Sequence, residues 1–413
     1  MAAAFSTREY PSRDCAVCGC NGKMLLYRQR FSKLSSGSLV TGYDVVFCTS
    51  CGFAFADRLP VQDDFDQYYR EMSKYEYHDS GGKESSYDVA RFQQLRDLLL
   101  PHLGSSGDRI VDVGCATGKF ISLLSDSGYR DVTGLDPSPC CARAAKELYG
   151  VRVLTGSVAD LPGFGEIFDC VILSGVLEHL LDPKWVLTML RERMSEQGII
   201  CIEVPDASRF ADWDDAPYQQ FSVEHINFFT SLSLRNLVLA AGFAEVVCVE
   251  GAHAMSLTTT MPVVTSIFRK SADPEGSLSY DLVAEPGLRE YLRRSAQVED
   301  SIKQTIRSIV EKGNPIMIWG AGTHTLHLLE STDLAQTKIS AVIDANISYQ
   351  GKRLQGAPIL APEAIKARPE PILVSSRVFQ EEIVRKIRDD GLSNEIITLY
   401  DLGALSDPDK GAA

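Results

Sequence analysis

Between Arg109 and Asp136 the chain passes through a short apolar run, a glycine-bearing turn, a helical pattern and a second apolar run. In order these are Arg109-Ile-Val-Asp-Val, Gly114-Cys-Ala-Thr-Gly118, a helix over 118–127, and Asp131-Val-Thr-Gly-Leu-Asp136. Two strands this short, joined through a helix, must run parallel, because an antiparallel pair would need only a turn. The same alternation continues. Pro139–Tyr149 reads as a helix, Val151–Thr155 and Phe168–Leu173 as strands, Lys184–Arg193 as a helix, and the run opening at Gly198 as a strand. Leu232–Ala241 reads as a helix, with Glu245–Val249 and Leu257–Val264 as closing strands. Such a series predicts an α/β fold with a mostly parallel, doubly wound central sheet covered by helices on both faces.

A second α/β series begins at Pro315-Ile-Met-Ile-Trp319, turns through Gly320-Ala-Gly322, and returns to Ile339-Ser-Ala-Val-Ile-Asp344. Leu288–Glu311 reads as one long connecting helix. At 413 residues the chain exceeds a single core, and it divides as 1–74, 75–264, 265–312 and 313–413. Apolar residues at 45% exclude a disordered chain, and no apolar run reaches the length of a membrane span. A net charge of −14 repels phosphate backbones and anionic membranes, leaving a small-molecule partner as the expectation. The N-terminus shows no signal-peptide core and the eleven cysteines are odd in number, so the chain is read as cytoplasmic, a monomer or homodimer.

The turn Asp112-Val-Gly114-Cys115-Ala-Thr-Gly118 lets backbone approach a ligand closely, and the following helix N-terminus presents unpaired amides. Its spacing differs from the dinucleotide pattern Gly-x-Gly-x-x-Gly. Asp136 lies 22 residues beyond Gly114 at the end of the second strand, placed to accept from ribose hydroxyls. Val158-Ala159-Asp160 follows the third strand, where an acid can meet an adenine amine. Together with Gly134-Leu-Asp136 and Phe168-Asp-Cys-Val-Ile, this loop resembles the signature of class I S-adenosylmethionine-dependent methyltransferases. The resemblance implies that S-adenosylmethionine lies at the carboxyl ends of these strands, beside Asp112, Gly114, Cys115 and Gly118.

Upstream, Cys15-Ala-Val-Cys18 and Cys48-Thr-Ser-Cys51 form two CxxC knuckles 29 residues apart. Two such knuckles complete a tetrahedral zinc site, and four thiolates leave no open position, so the expectation is structural Zn2+. Gly19 and Gly52 each follow a second cysteine, where a tight turn favours glycine. The segment 1–60 reads as poor in apolar material, so metal would supply much of its folding free energy.

Two acid–histidine pairs remain: Glu178-His179 after the fourth strand of the central sheet, and Glu224-His225 after the fifth. Each imidazole is placed to act as a tuned general base. Tyr75 and Tyr77 precede the core and could fold over the cleft. The CxxC module, the methyltransferase core and the second Rossmann-like domain resemble, over nearly the whole chain, the sugar C-methyltransferases that act on keto nucleotide sugars. That resemblance assigns proton transfer to Tyr77, His179, Glu224 and His225. We read His225 as the base, Glu224 as its orienting partner, and Tyr77 or His179 as the group that stabilises or protonates the oxygen. Tyr349-Gln-Gly351-Lys352 also resembles the family, whereas the residues after Gly322 depart from its Ala-Lys-Gly run. The competing functions are O- or N-methylation of a small metabolite, an oxidoreductase using the second glycine turn, and a non-catalytic zinc adaptor.

Overall fold

A computed structural model describes residues 10–71, 84–256, 259–272 and 277–401. The N-terminal segment supplies β1 (Lys23–Arg30), β2 (Gly42–Cys48) and β3 (Ala54–Asp57), an antiparallel meander followed by helix α1 (Gln62–Glu71). Helix α2 (Ser86–Leu99) leads into the central unit. Its start is fixed by a capping box in which the Ser85 and Asp88 side chains each accept from the other residue's backbone amide.

The central unit then runs β4 (Arg109–Val113), α3 (Lys119–Asp126), β5 (Asp131–Asp136), α4 (Pro139–Tyr149), β6 (Val153–Thr155), β7 (Phe168–Ser174), α5 (Pro183–Glu192) and β8 (Met194–Pro205). It continues through β9 (Asn227–Phe228), α6 (Ser231–Ala240), β10 (Phe243–Ala254) and β11 (Thr260–Lys270). The seven-stranded sheet has the order β10-β11-β8-β7-β4-β5-β6. Strands β8, β7, β4, β5 and β6 are mutually parallel, and β11 and β10 close one edge in antiparallel fashion. This is the expected doubly wound α/β architecture. The closing strands are longer than their sequence pattern indicates and begin or end several residues away, continuing through polar positions such as His253 and Thr265, whose side chains both reach Glu203.

Helix α7 (Ala284–Lys312) spans 29 residues and ends where Gly313 adopts φ +67°. The C-terminal unit follows as β12 (Ile316–Trp319), α8 (Thr323–Ser331), β13 (Ile339–Ile343), β14 (Arg353–Leu354), β15 (Ala357–Leu360), β16 (Ile372–Val374), α9 (Gln380–Asp389) and β17 (Ile396–Thr398). Its sheet order is β14-β15-β13-β12-β16-β17, all parallel save β14.

The N-terminal segment departs from expectation. Rather than being poor in core, it buries Phe31, Leu34, Tyr43, Val45, Phe47, Phe53 and Phe55. Aromatic residues interspersed with polar ones hide this in the sequence. Phe31, Tyr43, Val45 and Phe47 share one apolar cluster with Leu288, Tyr291, Ile302 and Ile306 of α7 and with Ile316 and Ile318 of β12. Phe53 and Phe55 pack instead with Val111 and Val113 of the central sheet. At roughly 1.5–3 kcal/mol for each fully buried large apolar side chain, this burial outweighs any one hydrogen bond in holding the units together. Strand β9 pairs antiparallel with β3, so the N-terminal sheet takes its fourth strand from the central segment.

Candidate active site and cofactor crevice

The turn after β4 is built for close approach. Gly114 has φ +75°, and a Cβ there would lie 2.6 Å from Val176 Cγ2. Gly118 has φ +79° and opens α3. Asp136, at the end of β5, braces the turn: its Oδ2 accepts from Ala116 N at 2.9 Å and its Oδ1 from Ser138 N at 2.9 Å. Asp112 is buried beneath the loop, and burial, reinforced by the nearby charge of Asp136, pushes its carboxyl up to about 8. Burial also raises Asp136, against the pull of its two amide donors. Asp112, held this high, suits a crevice that receives a cation, since a nearby positive charge lets it ionise. Cys115 is buried in the loop. Val158 is half-buried, and Ala159 and Asp160 are exposed on the turn after β6. Asp160 Oδ2 accepts from Ser157 N at 2.7 Å, so this acid shapes its own turn at the crevice rim.

The loops carrying Glu178-His179 and Glu224-His225 meet. Ile226 N donates to Glu178 O at 2.8 Å, and Asn227 Nδ2 donates to Leu177 O and Leu180 O at 2.9 and 2.7 Å. The His179 and His225 rings stand edge to face with centroids 4.9 Å apart. His179 Nδ1 lies 3.1 Å from the Tyr69 hydroxyl and 3.2 Å from Glu224 O, while its Nε2 is 3.9 Å from Glu178 Oε1. The Glu224 carboxylate accepts from the Tyr68 hydroxyl at 2.9 Å. Ligand atoms of Glu178, His179 and His225 fall within 4.8 Å of one another. Expected Tyr75 and Tyr77 lie outside the described residues. Sequence reasoning passed over Tyr68 and Tyr69, although Phe65, Tyr68 and Tyr69 at i, i+3 and i+4 mark one face of a helix.

Behind this pocket runs a buried polar chain that the sequence does not reveal. Arg91 of α2 donates to Glu203 Oε1 at 2.8 Å and to Ser174 Oγ at 2.8 Å. The other Glu203 oxygen meets His253 Nε2 at 2.8 Å and accepts from Thr265 Oγ1 at 3.1 Å. Burial pulls Glu203 upward, but Arg91 and His253 outweigh it and hold the carboxyl at about 2. These residues come from five elements, α2, β7, β8, β10 and β11, spread along the chain, which leaves no local spacing to read.

Sulfur atoms of Cys15, Cys18, Cys48 and Cys51 converge within 4.8 Å, with Cys15–Cys51 at 3.5 Å and Cys18–Cys48 at 3.4 Å. Tetrahedral zinc with Zn–S near 2.3 Å sets sulfurs about 3.8 Å apart, so the donor set and its spacing fit that ion. Gly19 and Gly52 turn the knuckles at φ +73° and +79°. Cys20 points elsewhere, with its sulfur 2.9 Å from Ser50 Oγ.

The C-terminal unit repeats the acid brace. Asp344 Oδ2 accepts from Ala321 N at 2.7 Å and Oδ1 from Asn346 N at 2.8 Å. Strand order reverses between β12 and β16, and the crevice at such a reversal is where open α/β sheets take ligands. Arg377, just beyond β16, pairs with Asp214 of the central unit and lies over the Tyr400 ring. Tyr400 OH is 2.7 Å from His324 Nε2, and burial holds His324 down to about 3. Among the described residues, buried Trp213 Nε1, His324 Nδ1 and Arg377 Nη1 have no hydrogen-bond partner.

Comparison with known proteins matches residues 87–249 to a methyltransferase-domain family and 278–393 to the C-methyltransferase C-terminal domain family. C-methyltransferase NovU of Streptomyces niveus is 24% identical over 91% of this chain and 92% of its own. A tRNA U34 carboxymethyltransferase of Cellvibrio japonicus is 35% identical, but over only 26% of this chain and 36% of its own. Among solved structures, a Burkholderia thailandensis 1,6-didemethyltoxoflavin-N1-methyltransferase with bound S-adenosylhomocysteine aligns at 22% identity. It covers 54% of this chain and 97% of its own, with TM-score 0.41.

Proposed function

The chain belongs to the class I S-adenosylmethionine-dependent methyltransferases and carries the C-methyltransferase C-terminal domain, and on that premise we propose that it methylates a carbon beside the ketone of a nucleotide sugar. When bound, S-adenosylmethionine supplies an electrophilic methyl on a sulfonium sulfur that departs as a neutral thioether. The protein's task is to make a carbon nucleophilic. His225 takes the proton from the carbon beside the ketone, and the electron pair moves onto the ketone oxygen. Tyr77 or His179 stabilises or protonates that oxygen. Glu224 orients the histidine pair, with Tyr68 gripping its carboxylate and its own carbonyl touching His179. Asp112, Gly114, Cys115, Gly118, Asp136, Val158, Ala159 and Asp160 line the cofactor crevice. Positioning supplies most of the remaining rate, because two bound reactants then react as one.

The observation that carries this reading is the edge-to-face meeting of His179 and His225 where the loop after β7 crosses the loop before β9. The four thiolates hold a structural zinc with no open position. Among the described residues, no helix is long and apolar enough to cross a membrane.

The test is to incubate the protein with methyl-labelled S-adenosylmethionine and a panel of keto nucleotide sugars, then fragment the product. Label on carbon is expected; label on oxygen or nitrogen would replace the reading with O- or N-methylation. His225→Gln should slow turnover by about 10²- to 10⁴-fold. Full turnover by that variant would remove His225 from the chemistry.

A further inference from the structure

The loop 218–225, which ends in Glu224 and His225, is held by side chains from other units as well as by its own turns. Gln29 of β1 is fully buried and donates through Nε2 to Phe221 O at 2.8 Å. Tyr43 of β2, also buried, donates to Ser222 O at 2.7 Å and lies 3.5 Å from His225 O. From α7, the Tyr291 hydroxyl accepts from Gln220 N at 2.9 Å and Ser295 Oγ from Tyr218 N at 3.1 Å. Tyr218 sits at φ +57°, a conformation a tyrosine keeps only when its surroundings impose it.

Gln29 is itself fixed. Its Oε1 accepts from Arg30 N at 3.0 Å, so the oxygen and nitrogen of the amide are assigned by two independent partners. His327 of α8 therefore donates from Nδ1 to that oxygen, at 3.0 Å. On its other side His327 Nε2 lies 2.9 Å from Glu299 Oε1, and Glu299 Oε2 accepts from Lys303 at 2.7 Å. Burial pulls Glu299 upward, but His327 and Lys303 outweigh it and hold it at about 2. Glu299 is the charged exception on the buried stripe of α7, and this contact accounts for it.

We propose that Gln29 and Tyr43, backed by His327 and Glu299, are positioning residues that set where Glu224 and His225 stand, so that the cysteine-bearing N-terminal unit and the C-terminal unit jointly govern turnover. The proposal rests on the reading that His225 faces the acceptor. A backbone carbonyl stripped of its donor inside a protein seeks another, and the loop would shift to find it. Displacements of about 1 Å at a reacting group cost up to about 100-fold in rate.

The test uses the full-length, zinc-loaded chain with Tyr43→Phe, which removes one hydroxyl, and Gln29→Met, which keeps side-chain volume. With the keto nucleotide sugar that the panel identifies, kcat should fall about 10- to 100-fold while KM stays within about twofold. Zinc content and affinity for S-adenosylhomocysteine should not change. Without any acceptor, amide exchange over 218–229 should quicken at least about tenfold in both variants, with exchange at the cysteine knuckles, 15–22 and 48–52, unchanged. Unchanged exchange, or loss of zinc and S-adenosylhomocysteine binding in parallel with kcat, overturns the proposal. If His225→Gln is inactive while both variants keep full kcat, only this inference falls. If His225→Gln is fully active, the reading beneath it falls instead.

Discussion

Replacing Asp112 by Asn tests the cofactor crevice through a quantity the structure fixes. Asp112 is 4% exposed and its carboxyl is pushed up from 3.8 to about 8, chiefly by burial. A raised folded-state value means that the folded chain holds this proton from about pH 4 to 8 while the unfolded chain has released it. Asp112 therefore subtracts from stability as pH rises through that window, at about 1.4 kcal/mol per pH unit. Asparagine keeps the shape and has no proton to lose. The stability difference between Asp112→Asn and the parent, both without cofactor, should grow by about 2.7 kcal/mol between pH 5 and 7, which denaturant titrations at each pH will read. Titrating groups remote from Asp112 cancel in that difference. The same proton should be expelled when the sulfonium and ammonium of S-adenosylmethionine bind. About 0.9 proton should leave per cofactor at pH 7, read by calorimetry in buffers of differing ionisation enthalpy, and Asp112→Asn should lose most of it. A stability difference that is flat in pH, with no buffer dependence of the binding heat, would refute the buried-acid argument.

Metal analysis should find about one zinc per chain, and Cys48→Ser should abolish it and lower the melting temperature. Zero zinc in the parent chain would sink the thiolate reading. Arg91→Met strands Glu203 beside His253 and should cost about 3–5 kcal/mol in denaturant unfolding. Because Glu203 is held below its unfolded value, its contribution is present above about pH 4 and fades as pH falls toward 2, so the penalty of Arg91→Met should shrink on acidification. A pH-independent penalty would argue for lost packing alone.

The central sheet was legible because its strands are short, apolar and punctuated. Arg109–Val113 and Asp131–Asp136 were read to the residue, since a parallel strand buried on both faces leaves a continuous apolar run. His179 and His225 could be singled out because each follows an acid just past a strand. Other parts were hidden for physical reasons. Helix α2 is rich in Gln, Asp and Arg, so its buried face is thin and its apolar period weak. Strand β9 is two residues long and exists only because β3 lies beside it. Arg91, Glu203 and His253 form one cluster from positions separated by 112 and 50 residues, a grouping made by topology alone. Gln29 and Tyr43 looked like ordinary strand residues, and what they hold lies some 180 to 190 residues onward.

The pairing of Asn227–Phe228 with Ala54–Phe55 has a consequence for how such a chain can be cut or recombined. Clipping the polypeptide after α1 would leave Asn227–Phe228 without the neighbour that makes it a strand, next door to His225. A cassette exchange that imported a foreign cysteine-bearing front end would have to match this two-residue register as well as the ion. Nor is α7 an easier seam, because Tyr291 and Ser295 hold the 218–225 loop and Glu299 meets His327 across the join to the C-terminal unit.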